Sequence, residues 1–197
     1  MSGYEFSWRG LPGVVGGSAA WLGAFFVLRY MPDSSSRYLL TALLFCEGSL
    51  VLTSYAGISA FFPHASFQEL YPIFLLHGIN DFLVVALYLP TLASLIDSPM
   101  LRPFKTTPVR YVPGTLAAVC IAALIFGPPD LHFAKVLERS PGYPGSVMTP
   151  GPVWGLAFML LAVTYTYGLV ATILAWRRST SDLERRKNGF LVASFGV

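Results

Sequence analysis

Apolar positions in this chain gather into long unbroken blocks, without the strict alternation of a half-buried strand or the single stripe of a water-soluble helix. Blocks at 11–30, 38–62, 71–96, 111–129 and 152–176 approach or exceed the ~20 residues that cross a ~30 Å hydrocarbon core, and a sixth begins at Gly189 and runs to Val197. The pattern predicts an all-α fold, a polytopic transmembrane helix bundle with five full spans plus the start of a sixth, forming a single domain over 1–197. The first block has no short basic region ahead of it and no small-residue cleavage site behind it, so it reads as a retained helix and not as a signal peptide.

Turn formers fall where the blocks end. Met31-Pro32-Asp33-Ser34-Ser35-Ser36 closes the first hairpin and Pro63-His64 the second. Pro99, Pro103 and Pro108 predict an extended, semi-rigid third loop. The fourth loop is the longest. Within it, Asp130 is placed to cap a short interfacial helix over 130–139, with Leu131, Ala134 and Leu137 at helical spacing, before the turn-rich run Ser140-Pro141-Gly142-Tyr143-Pro144-Gly145.

Composition agrees with a bilayer as solvent: 54% of residues are hydrophobic and 12% charged, with a mean hydropathy of +0.60. The distribution of Lys and Arg supplies an orientation. Arg9, Lys135 and Arg139 stand alone on one side, whereas Arg29, Arg37, Arg102, Lys105, Arg110 and the group Arg177, Arg178, Arg185, Arg186 and Lys187 stand on the other. The second side is the expected cytoplasmic one, with the last five residues forming a basic loop near anionic headgroups. The N-terminus is then outside the cytoplasm. This sidedness accounts for the net charge of +3, so the expected partners are the lipid bilayer and membrane subunits, with no nucleic acid. Cys46 and Cys120 lie inside blocks and imply neither a disulfide framework nor a metal site.

Ionisable residues inside a span are costly, and they are usually paired or functional. Glu47 in the second block and His77 and Asp81 in the third are of this kind, with Asn80 beside them. His77 and Asp81 are four apart and share a helix face, within reach of a direct hydrogen bond. Antiparallel second and third spans put Glu47 and Asp81 on the order of 8 Å apart in depth, a gap that Ser54 or Tyr55 is placed to relay. Tyr165 and Tyr167 fall mid-span, where a phenol needs a partner, so at least one is expected to point into the bundle. Most other Tyr and Trp, including Trp154 and Trp176, sit near block ends as a headgroup-level belt.

Three readings of Glu47, His77, Asn80, Asp81 and Tyr165 stand open: a proton path, the polar anchors of a small-ligand pocket, and a self-satisfied knot that fixes helix register. No cofactor or metal is predicted. A bis-histidine haem needs two ligands at one depth and only His77 is well inside a span, while His64 and His132 lie in loops without further ligands. Gly13, Gly17 and Gly23 give the first helix a small-residue surface for packing within the chain or for a homodimer. No phosphate-binding loop, zinc-ligand pair or nucleophile elbow occurs, so no catalysis is expected in this chain, and any catalytic domain would lie beyond residue 197.

The stretch Gly151-Pro152-Val153-Trp154, continuing through Tyr165, Tyr167 and Gly168 to Ala175-Trp176-Arg177-Arg178-Ser179 and Asp182-Leu183-Glu184-Arg185-Arg186-Lys187, resembles the fifth helix and following inner loop of the seven-transmembrane N-terminal sensor region of bacterial histidine kinases and cyclic-di-GMP enzymes. The resemblance extends to an outside N-terminus and a long fourth outer loop. It implies a sensory input module in which most of the sixth helix, the seventh helix and an effector domain follow Val197, and a block that has only begun at that residue leads us to expect a longer natural chain. The competing expectation is a non-catalytic subunit of a larger membrane complex of the respiratory or photosynthetic type.

Overall fold

The computed structural model describes residues 11–54, 67–106, 108–137 and 147–194. The chain is helical apart from one small hairpin: α1 (Leu11–Tyr30), α2 (Ser35–Thr53), α3 (Phe67–Leu95), the short α4 (Pro103–Thr106), α5 (Val112–Phe126), strands β1 (Phe133–Leu137) and β2 (Val147–Pro150), α6 (Pro152–Arg178) and α7 (Asp182–Ser194). Local chemistry sets several boundaries. Pro12 and Pro152 occupy first turns, where no N–H is missed. Pro32 stops α1 from continuing, and the Ser34 hydroxyl then caps α2 by accepting from the Arg37 N–H.

Four helices are long and apolar enough to cross a membrane, Leu11–Tyr30, Gln68–Leu95, Pro108–Phe126 and Pro152–Arg178. The expectation of five full spans is therefore reduced to four among the described residues. α2 is the one that drops out, because it opens on Ser35-Ser36-Arg37 and carries Glu47, while residues 55–62 of its expected block lie outside the described residues. Three further expectations are corrected. The third loop is not extended: it winds through two 3-10 turns and α4, because its prolines sit at first-turn positions that favour helical starts. The helix expected over 130–139 is a 3-10 turn at Pro129–Leu131 followed by β1, which pairs antiparallel with β2. The basic loop expected before the sixth block is largely helical. α7 starts at Asp182, so Arg185, Arg186 and Lys187 are exposed on a helix, Arg177 and Arg178 end α6, and only 179–181 form the loop.

α3 is the axis of the bundle. It packs against α2, α5 and α6, and α1 reaches the rest chiefly through α2. Phe82, Val84, Val85, Tyr88, Leu92 and Ala93 of α3 are buried, whereas α1 presents Val15, Leu22, Phe25 and Phe26 outward, as a lipid-facing helix should. Cross-links between elements also show that the basic segments share one end. The Ser36 hydroxyl donates to the Ser94 carbonyl at 3.4 Å and Lys187 to the Leu95 carbonyl at 3.1 Å, while the Tyr167 hydroxyl donates to the Met100 carbonyl at 2.7 Å.

The small residues of α1 act within the chain. A Cβ on Gly17 would stand 2.8 Å from the Gly48 carbonyl oxygen of α2, and one on Gly48 2.8 Å from the Gly17 carbonyl oxygen, so the two backbones meet with no room for a methyl group. Gly23 faces Leu44 at ordinary contact distance, and Gly13 is half-buried near the other end of α1. Trp21 seals the contact, its indole N–H 3.2 Å from the Phe45 carbonyl and 3.3 Å from the Ser49 hydroxyl. Gly48→Ala should therefore destabilise the bundle by ~1–3 kcal/mol through overpacking. Gly155→Ala, where the added Cβ meets nothing within 4 Å, should stay within ~0.5 kcal/mol. Thermal melts of both purified variants check this, and equal losses would remove the close-approach account.

Candidate functional site: a polar interior and a lateral cleft

The polar residues of α2, α3 and α6 form two neighbouring groups. Toward the loop that follows α5, His77 of α3 brings its Nδ1 to 3.2 Å from the Thr53 hydroxyl of α2. The Thr53 hydrogen goes to the Ser49 carbonyl at 2.7 Å. Thr53 thus accepts from His77, which assigns the ring hydrogen to Nδ1 and leaves Nε2 as an acceptor in the neutral ring. His77 stands edge-on to Trp154 of α6 with centroids 6.3 Å apart. Its Nδ1 is thereby committed to Thr53 and not to Asp81, the partner expected from i,i+4 spacing. Asp81, 2% exposed, and Asn80, 5% exposed, each keep a buried polar atom, Oδ2 and Nδ2, without a hydrogen-bond partner. The indole N–H of Trp154 is close enough to interact with Asp81, yet makes no bond of ordinary geometry.

His132 joins this group from the loop between α5 and β1. The Gly151 N–H donates to the His132 carbonyl at 2.7 Å, pinning His132 to the start of α6 three residues before Trp154. Gly151 is required at that point, since a Cβ there would run into the carbonyls of Asp130 and Leu131. The imidazole is 1% exposed and lies against Phe133 at 4.1 Å and Trp154 at 5.5 Å between centroids. It also packs over Gly78, where a Cβ would come within 3.1 Å of Nε2. Neither ring nitrogen has a hydrogen-bond partner. Burial, and secondarily the neighbouring His77, push the His132 pKa down to about 4.

The second group lies farther along α6 toward the basic end. Tyr165 of α6 donates its hydroxyl to Oε1 of Glu47 on α2, and Tyr88 of α3 stands edge-on to Tyr165 with centroids 4.6 Å apart. Gly168, one turn along α6, clears space for Tyr88, whose ring a Cβ there would overlap. α2 and α6 both pack on α3 but barely touch each other. Between them is a cleft of about 620 Å³, lined by Leu43, Leu44 and Glu47 on one wall and Tyr165, Thr166 and Leu169 on the other, with Tyr88 at its floor. Thr166 is exposed although it lies at the middle of α6, so the cleft opens on the side of the bundle.

Of the residues singled out from sequence, the structure joins Glu47 to Tyr165 and sets Asp81 within electrostatic range of both, while Asn80 stays separate. The Ser54 hydroxyl, one candidate for the expected relay, donates to the Val51 carbonyl of its own helix at 2.6 Å, and Tyr55, the other, lies outside the described residues, as do His64 and Arg9. Among the described residues no group of three or more His, Cys, Asp or Glu could hold a metal ion. His132, Trp154, Thr53 and Tyr88 were not anticipated as members. Trp154 reads from sequence as a belt residue and His132 as a loop residue, and the one local sign was Gly78 beside His77, a gap in the α3 surface into which His132 fits.

No family model, no curated protein and no solved structure matches this chain.

The burial of His132 has a testable pH signature. Its folded pKa of about 4 lies below the unfolded value of ~6.5, so between these values the unfolded chain binds the extra proton. Stability is therefore complete above pH ~6.5 and falls as the pH drops toward 4, by at most about 1.4 kcal/mol per pH unit. Denaturation of the purified protein between pH 7.5 and 4.5 should show this slope, and His132→Phe should flatten it by one proton.

Proposed function

We propose that this chain is a membrane-embedded sensory input module of a bacterial signalling protein, without catalytic activity of its own. The reading rests above all on the hydroxyl–carboxylate bond between Tyr165 and Glu47, which ties two helices that otherwise stand apart across a cleft. Side-chain hydrogen bonds in membrane bundles are worth on the order of 1 kcal/mol. A ligand entering the cleft can exchange such a bond for one of its own, and this gives the module two states that differ in the spacing of α2 and α6. α6 runs on to the basic end and contacts α7, so a shift of α6 carries directly to α7. The resemblance of the α6 and α7 sequence to sensor regions points the same way, and the basic residues gathered at one end support a cytoplasmic location for that end. In the alternative, a subunit of a larger membrane complex, the outward aromatic residues of α1 would meet a partner protein. Lipid contact accounts for them equally well.

Spin labels at Ala42 of α2 and Val170 of α6, in a background without Cys46 and Cys120, report the α2–α6 spacing in nanodiscs. Tyr165→Phe and Glu47→Gln should each widen the mean distance by about 2 Å or more, the scale of a helix shift in a switching bundle, and should move a further label at Leu183 of α7. An unchanged distance in both variants would remove the two-state module and leave the static subunit.

A further inference from the structure

The cleft carries a chemical asymmetry that narrows what it can hold. Its polar lining is one carboxylate, Glu47, with the phenols of Tyr88 and Tyr165 and the Thr166 hydroxyl, and the described residues that line it include no Lys, Arg or His. The Tyr165 hydrogen is already donated to Glu47, so the carboxyl group is arranged as an acceptor. The edge-on Tyr88–Tyr165 pair adds aromatic surface beside it. A carboxylate next to aromatic faces in a low-dielectric cleft is complementary to a cation, which gains a charge-assisted hydrogen bond from the one and cation–π attraction from the other. The remaining wall of Leu43, Leu44 and Leu169 fits an apolar body. Its volume of about 620 Å³ is within the roughly 300–1,000 Å³ of small-molecule sites, and the opening at mid-span Thr166 faces hydrocarbon.

We propose that the cleft binds a lipid-soluble molecule bearing a single protonated amine, which enters sideways from the bilayer and places its ammonium group against Glu47 between Tyr88 and Tyr165. This rests on the sensory reading above and names the class of its ligand. The ammonium supplies the positive charge that the protein withholds from Glu47, and it competes with the Tyr165 hydroxyl for the same carboxylate.

The test uses the whole chain in phosphatidylcholine nanodiscs and three probes with the same aryl-diazirine tail on a twelve-carbon chain, ending in a primary amine, its N-acetyl derivative or a benzoquinone. After photolysis, labelled peptides are mapped by mass spectrometry. The amine should label 43–47 and 165–169 at least ten-fold more than the N-acetyl probe. Glu47→Gln should reduce that ratio to about one, and Tyr165→Phe should preserve or raise it, because the carboxylate is then freed. Equal labelling by amine and N-acetyl probes, benzoquinone labelling ahead of both, or an amine preference that survives Glu47→Gln would each overturn the proposal. If Glu47→Gln does not fold, Leu44→Trp fills the cleft without touching the carboxylate and must abolish amine labelling, and its persistence overturns the site. Amine-selective labelling that leaves the α2–α6 spin-label distance unchanged supports the site while removing the sensory reading. A widened distance in Glu47→Gln without amine selectivity does the reverse.

Discussion

In a bilayer an apolar helix surface gains nothing by leaving lipid for another apolar surface, so association between helices must come from close backbone packing and from polar bonds. The arrangement of this bundle follows from that constraint. α1 is held where Gly17 and Gly48 let two backbones meet and Trp21 reaches Phe45 and Ser49. α6 is held on α3 where Gly168 admits Tyr88. α2 is joined to α3 through Thr53 and His77 near one end and through the Thr91 hydroxyl, 3.4 Å from the Leu39 carbonyl, near the other. Where close backbone packing is missing, as between α2 and α6, the helices separate, and among the described residues the bond between Glu47 and Tyr165 spans the gap.

The same constraint explains which features could be read from the chain. The helical class and the polar character of the interior at Glu47, His77 and Asp81 are properties of local composition, and residue type within an apolar block reveals them. Pairings depend on helix rotation and on which helices become neighbours, and blocks that are apolar around most of their circumference conceal both. His77 thus pairs with Thr53 although Asp81 is its obvious local neighbour, and Glu47 pairs with Tyr165, 118 positions away. The lengths of blocks also mislead at their ends. Ser34 caps α2, so that Ser35-Ser36-Arg37 form its first turn ahead of its apolar residues, and charged residues from Asp182 onward begin α7 before Gly189. The loop after α5 was legible as turn-rich but not as a hairpin, because its strands are fixed by pairing with each other and by the Gly151 to His132 bond.

The two polar groups differ in what they can exchange. His132, Asp81 and Asn80 are nearly inaccessible, so their unpartnered atoms stabilise nothing and hold the interior in an unsaturated state that further bonds would relieve. Glu47 and Tyr165 satisfy each other at the wall of an open cleft. On the sensory reading proposed above, a bond in that position is both the tie between two helices and the surface a ligand would meet, which would couple occupancy of the cleft to the spacing of the helices. Because Gly17 and Gly48 lock α1 to α2 without clearance, a change in that spacing would carry α1 along with α2. On the far side of the cleft α6 runs unbroken from Trp154 beside His132 to the basic residues Arg177 and Arg178.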